Sequence, residues 1–106
     1  MSIHEQSQPA QLDRLLHQPV RTRIVAYLAG RDEASFTEIK KALGLTDGNL
    51  EAHMKKLVAA EYIQPHKLDD SPRSQTIYAL TETGRAAFQS YVEALEQLIA
   101  LSGLPG

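Results

Sequence analysis

Thr46, Asp47, Gly48, Asn49, His53 and Lys56 bring a hydroxyl, a carboxylate, an amide, an imidazole and an ammonium into one short stretch of chain. No local pattern of Ser, His and Asp pairs a nucleophile with its base, so these residues read as groups that recognise and not as groups that react. An Asn amide donates and accepts together and can pair with an adenine edge. A Lys ammonium donates to guanine or to a phosphate oxygen, and a Thr hydroxyl beside free backbone N–H groups can hold an anion. Gly48 and Ala52 place no bulk between them. The four histidines, His4, His17, His53 and His66, offer no i, i+4 pair, and cysteine is absent. No metal site, catalytic residue or cofactor is therefore predicted, and the chain is not read as an enzyme.

The element that must carry these groups is legible from its apolar spacing. Ile39 and Leu43 lie four apart. Leu50, Met54 and Leu57 fall at i, i+4 and i+7, and Leu45 sits next to Gly44 between the two runs. Two short amphipathic helices joined by a tight turn make a helix-turn-helix. With Leu50, Met54 and Leu57 inward, Gly48, Asn49, Ala52 and Lys56 face out and His53 lies on the flank, an arrangement suited to a DNA groove. Thr46 is the expected N-cap of the second helix, with Asp47 close behind it. Thr37 is the expected cap of the first, with Glu38 in its first turn.

Around this motif, residues 1–9 read as a mobile lead-in, and Leu12, Leu15 and Leu16 place a short helix over 10–17. Pro19 opens the next helix, whose Ile24, Val25 and Leu28 recur until Gly30, and residues 31–35 read as a loop. Beyond Ala60 the period changes. Residues 62–68 and 76–81 are β-rich runs separated by DDSPRSQ, which predicts a hairpin with Arg73 near its tip and Pro65 on an edge strand. A last helix over 82–100 carries the apolar stripe Phe88, Tyr91, Val92, Leu95, Leu98 and Ile99. This order predicts an α+β, mainly α fold: a winged helix-turn-helix with a β-hairpin wing and a long C-terminal dimerisation helix. One domain spans 10–100 and includes the dimerisation helix 82–100.

The 106 residues are 42% hydrophobic, sized for one domain with a modest core. No apolar run approaches the ~18 residues needed to span a bilayer, and the start lacks an export signal, so a cytoplasmic protein with no membrane partner is expected. The net charge is −2. Its distribution is uneven: residues 11–31 hold Arg14, Arg21, Arg23 and Arg31 against Asp13 alone, whereas residues 76–106 hold one arginine against three glutamates. Over residues 37–75 six cationic side chains balance six acidic ones, which predicts weak affinity for random DNA. Arg21 and Arg23 can serve as phosphate contacts or as partners of acids. The terminal stripe exceeds what so small a core can cover. Its surplus predicts a homodimer joined through Phe88, Tyr91, Leu95, Leu98 and Ile99, with Leu12 and Leu16, and two recognition helices about one DNA turn apart.

The segments LTDGNLEAHMKKLVAAEYI and RSQTIYALTETGRAAFQSYVEAL resemble the MarR/ArsR-like winged-helix transcriptional regulators, in particular the small stand-alone winged-helix DNA-binding family, over about residues 12–98. The resemblance implies operator binding as a homodimer, with Thr46, Asp47, Gly48, Asn49, His53 and Lys56 at the major groove and Arg73 at the wing. Glu51 and Ala52 stand where such families often carry Ser and Arg or His. The wing also carries two acids and no Gly. Both departures bear on affinity, not on fold. The reading is a sequence-specific, homodimeric regulator of transcription, a repressor in preference to an activator, on a near-palindromic operator, with any small-molecule effector unknown. The alternative is a winged-helix module that binds protein without DNA.

Overall fold

The computed structural model describes residues 12–105. The expected lead-in over 1–9 and the beginning of the helix expected from residue 10 lie outside them. Four helices and a small sheet follow in the order α1 (Pro19–Ala29), β1 (Ala34–Ser35), α2 (Phe36–Leu43), α3 (Asp47–Ala59), β2 (Ile63–Lys67), β3 (Thr76–Leu80) and α4 (Glu82–Ser102).

Residues 12–17 form a turn, not the helix that their leucines suggest. The Asp13 carboxylate accepts from the Leu15 and Leu16 N–H groups at 2.8 and 3.1 Å, and its carbonyl accepts from His17 N–H at 2.7 Å. A short acidic side chain thus takes the backbone donors that a continuing helix would use. Gln18 is then extended and caps α1 by accepting from Arg21 N–H at 2.8 Å, with Pro19 in the first turn.

Two expectations about residues 31–37 are corrected. Ala34 and Ser35 form β1, which pairs antiparallel with β3 in the register Ala34 with Tyr78 and Ser35 with Ile77. A strand of two residues is too short to show a period. The cap of α2 is Ser35 in place of Thr37: Ser35 Oγ accepts from Glu38 N–H at 3.0 Å while Glu38 Oε1 accepts from Ser35 N–H at 2.8 Å. This reciprocal capping box satisfies two donors with one pair of side chains, where Thr37 and Lys40 would satisfy one.

The sheet order β1-β3-β2 leaves β2 on an edge, where Pro65, opposite Tyr78, costs no ladder bond to a further strand. Leu16, Ile24, Leu28, Ile39, Leu50, Leu57 and Ile63 are fully buried in one core between the helices and the sheet. At the exit of α3, Glu61 adopts a left-handed φ of 64°. There Thr81, which caps α4, donates its hydroxyl to the Glu61 carbonyl at 2.5 Å. Gly84 is required at this junction, since a Cβ there would lie 2.0 Å from the Tyr62 carbonyl oxygen. The first turn of α4 is thereby packed directly onto the chain that links α3 to the wing.

Candidate nucleic-acid interface

Gly44 ends α2 in the left-handed region at φ 68°, and the Leu45 N–H donates back to the Lys40 carbonyl at 3.1 Å. Half-buried Leu45 fills the turn. Thr46 Oγ1 accepts from Asn49 N–H at 3.2 Å and begins α3. The first N–H groups of the helix are left facing solvent, the usual basis of an anion site. Leu50, Met54 and Leu57 are buried, and Thr46, Asp47, Gly48, Asn49, Ala52 and Lys56 are exposed. One polar face, free of bulky side chains in its first half, therefore stands away from the core.

Three of the singled-out side chains have protein partners that bear on their roles. Asp47 Oδ1 lies 2.8 Å from Lys40 Nζ, tying the start of α3 to α2 and offsetting an acid at the face. With Asp47 three-quarters exposed, the pair contributes only about 0.2–1 kcal/mol. Arg23, expected at a phosphate or an acid, donates instead to the Leu43 carbonyl at 3.0 Å, where it satisfies the end of α2. His53 is half-buried, with Nδ1 3.1 Å from Nη1 of Arg21, whose Nε donates to the Leu15 carbonyl at 2.6 Å. Burial, then the Arg21 and Lys56 charges, hold the His53 pKa below its ordinary value. No acid is needed to satisfy either arginine.

Glu51, which sequence spacing leaves close to the groove, lies with Lys55 and Met54 along a hollow of about 600 Å³ between α3 and the hairpin, floored by Phe36, Pro65 and Tyr78. Burial raises the Tyr78 pKa, and the nearby Glu51 charge adds to the rise. The acid is thus on the wing side of α3. Arg73 is exposed in the hairpin turn. There Asp69 accepts from Ser71 N–H at 2.7 Å, and Ser71 Oγ accepts from Arg73 N–H at 3.1 Å. One of the two wing acids is thereby turned onto the hairpin's own backbone, as an Asx turn requires.

The apolar residues expected at a dimer interface divide into two sets. Leu16 is fully buried and Tyr91 is 5% exposed, the latter hydrogen-bonded to His17 Nδ1 at 2.9 Å, so both belong to the chain's own core and are withdrawn from that list. Leu12, Phe88 and Leu95 are half-buried against the same core. Leu98 and Ile99 are 48% and 44% exposed, and Leu101, not singled out from the sequence, is 84% exposed.

A helix-turn-helix whose second helix presents an open polar face, flanked by a hairpin that extends from a three-stranded sheet, is a winged helix. Residues 20–99 match the winged helix DNA-binding domain family, and the chain belongs to that family. It is 38% identical over 85 residues to an uncharacterized protein of Methanocaldococcus jannaschii, covering 80% of this chain and 92% of that protein. Among solved structures it is similar to a transcriptional regulator homologue from Pyrococcus horikoshii, with a TM-score of 0.80 and 27% identity over 97% of this chain and 98% of that one. YodB of Bacillus subtilis, at 22% identity and a TM-score of 0.70 over 87% and 88% of the two chains, shares the fold. So does AbfR, solved bound to DNA, at 21% identity and a TM-score of 0.66 over 80% of this chain and 57% of AbfR. The fold expected from the sequence is the fold observed, and its solved neighbours are MarR-like regulators. No helix among the described residues is long and apolar enough to cross a membrane.

Proposed function

We propose that this winged-helix protein is a sequence-specific transcriptional repressor that binds a near-palindromic operator as a homodimer. The observation that carries the reading is the outer face of α3, where Thr46, Gly48, Asn49, Ala52 and Lys56 stand exposed above the buried Leu50, Met54 and Leu57. Thr46 and the free N–H groups beside it hold a phosphate at the helix start. Asn49 and Lys56 read base edges, and Arg73 reaches the flanking backbone or minor groove from the wing. Asp47, neutralised in part by Lys40, positions the helix and contributes little attraction of its own.

Two copies joined along α4 through Leu98, Ile99 and neighbouring apolar residues carry two such faces, and a two-fold operator matches them. Repression follows because a dimer seated on an operator excludes polymerase. Disulfide formation, recorded for AbfR, requires cysteines, which these 106 residues lack.

The test is selection of bound fragments from genomic DNA, followed by fluorescence anisotropy on the enriched sequence. A single enriched near-palindrome, bound with a log-log salt slope of about −0.9 per phosphate contacted, supports the proposal. Absence of enrichment, with no duplex bound at low salt, overturns it in favour of a protein-binding module.

A further inference from the structure

Arg21 of α1 and His53 of α3 lie far apart in sequence and meet side by side at the edge of the exposed face. The guanidinium is held at two points, with Nε on the Leu15 carbonyl at 2.6 Å and Nη1 3.1 Å from His53 Nδ1. A guanidinium has donors only, so His53 Nδ1 is the acceptor and the neutral ring carries its proton on Nε2. That nitrogen makes no hydrogen bond among the described residues. The ring is faced by Arg21 from α1 and by Lys56 from its own helix, and burial together with these two charges keeps it neutral near pH 7. Protonation of Nδ1 would set three cations together and remove the acceptor that Arg21 uses. His53 sits on the flank of α3 beside α1, away from the centre of the face. The acceptor that a duplex brings to such an edge is a backbone phosphate oxygen.

The geometry points to Arg21 as a positioning residue that fixes His53 as the Nε2–H tautomer, whose outward N–H, backed by the guanidinium charge, holds a DNA phosphate beside α3. This assignment rests on the DNA-binding reading above and adds to it a directional donor set by tertiary contact.

Long-range nitrogen-proton spectra of the free, ¹⁵N-histidine-labelled protein test the positioning without DNA. Wild type is expected to show His53 protonated on Nε2 alone. Arg21→Met is expected to give a mixture of tautomers and a raised titration midpoint, a readout that loss of the Leu15 tie alone would not move. Anisotropy on the selected operator tests the contact. His53→Ala should bind ~10-fold more weakly, the size of one hydrogen bond to a charged group, whereas His53→Gln, whose amide nitrogen overlays Nε2, should stay within about threefold of wild type. A wild-type ring protonated on Nδ1, or His53→Ala binding as tightly as wild type, overturns the assignment and leaves the DNA-binding reading standing. A wild type that binds no duplex overturns both.

Discussion

An exposed amide and an exposed ammonium stand on one helix face, and removal of either should weaken binding. In the proposed complex Asn49 recognises by shape and direction, so Asn49→Ala should cost about 1–3 kcal/mol on the selected operator and relax preference at one base pair. Titrations on singly substituted operators measure this. Lys56 reads through a charged donor, and Lys56→Ala should likewise cost about 1–3 kcal/mol on the selected operator and relax preference at the base pair it meets. Wild-type affinity in both variants would remove the basis for α3 as the reading element. Elsewhere in the chain, the Tyr62 hydroxyl donates to Asp13 Oδ2 at 2.5 Å. That hydrogen bond first, then burial and the Asp13 charge, push its pKa from 10 up to about 12. Since the folded chain holds this proton more tightly than the unfolded one, the stabilisation is complete below pH 10 and is lost as pH rises from 10 towards 12. Urea unfolding at pH 9 and pH 11 should show a larger fall in wild type than in Tyr62→Phe. An equal fall in the two would refute the link between Tyr62 and Asp13.

Between residue and molecule, the placement of the helix-turn-helix depends on how its flanking elements begin. The Ser35 and Glu38 box sets the first residue of α2, and Ser35→Ala should lower stability by about 0.5–2 kcal/mol, as read by urea denaturation. The same pattern was visible in the chain as a Ser three residues ahead of a Glu, but Thr37 competed for the role. Burial of Ser35 in a strand with β3 decided between them. Gly84 matters for a different reason: its missing Cβ lets α4 start against the Tyr62 carbonyl. Gly84→Ala must move backbone and should cost more than Ser35→Ala, on the order of 1–3 kcal/mol or above. A neutral result in the same denaturation series would show that α4 can shift without penalty. Nothing in local spacing marks this glycine. It lies inside a helical pattern, and only the approach of a distant turn explains it.

For the molecule as a whole, the proposed dimer needs a surface that holds two recognition faces at a fixed separation. Leu98, Ile99 and Leu101 at the far end of α4 are large, apolar and about half to four-fifths exposed, whereas Leu16 and Tyr91 are spent inside the chain. Leu98→Asp is accordingly the informative variant. It should give a monomer by light scattering, with folding intact, and weaken operator binding at least tenfold because the second half-site no longer adds to the first. An unchanged mass would show that copies, if they pair, do so elsewhere. Leu95→Asp is less clean, since Leu95 also packs against the core.

The order of helices, the hairpin with its edge proline and the outward set Gly48, Asn49, Ala52 and Lys56 were determined along the chain itself, because apolar period, caps and turn residues act over a few positions. Tertiary structure alone decided that Ala34 and Ser35 complete a sheet. It also decided that Arg23 serves a carbonyl and that Arg21 meets His53. In each case the deciding partner lies in another element or the margin is a hydrogen bond or two, and such energies are settled by which groups the packed core brings within reach.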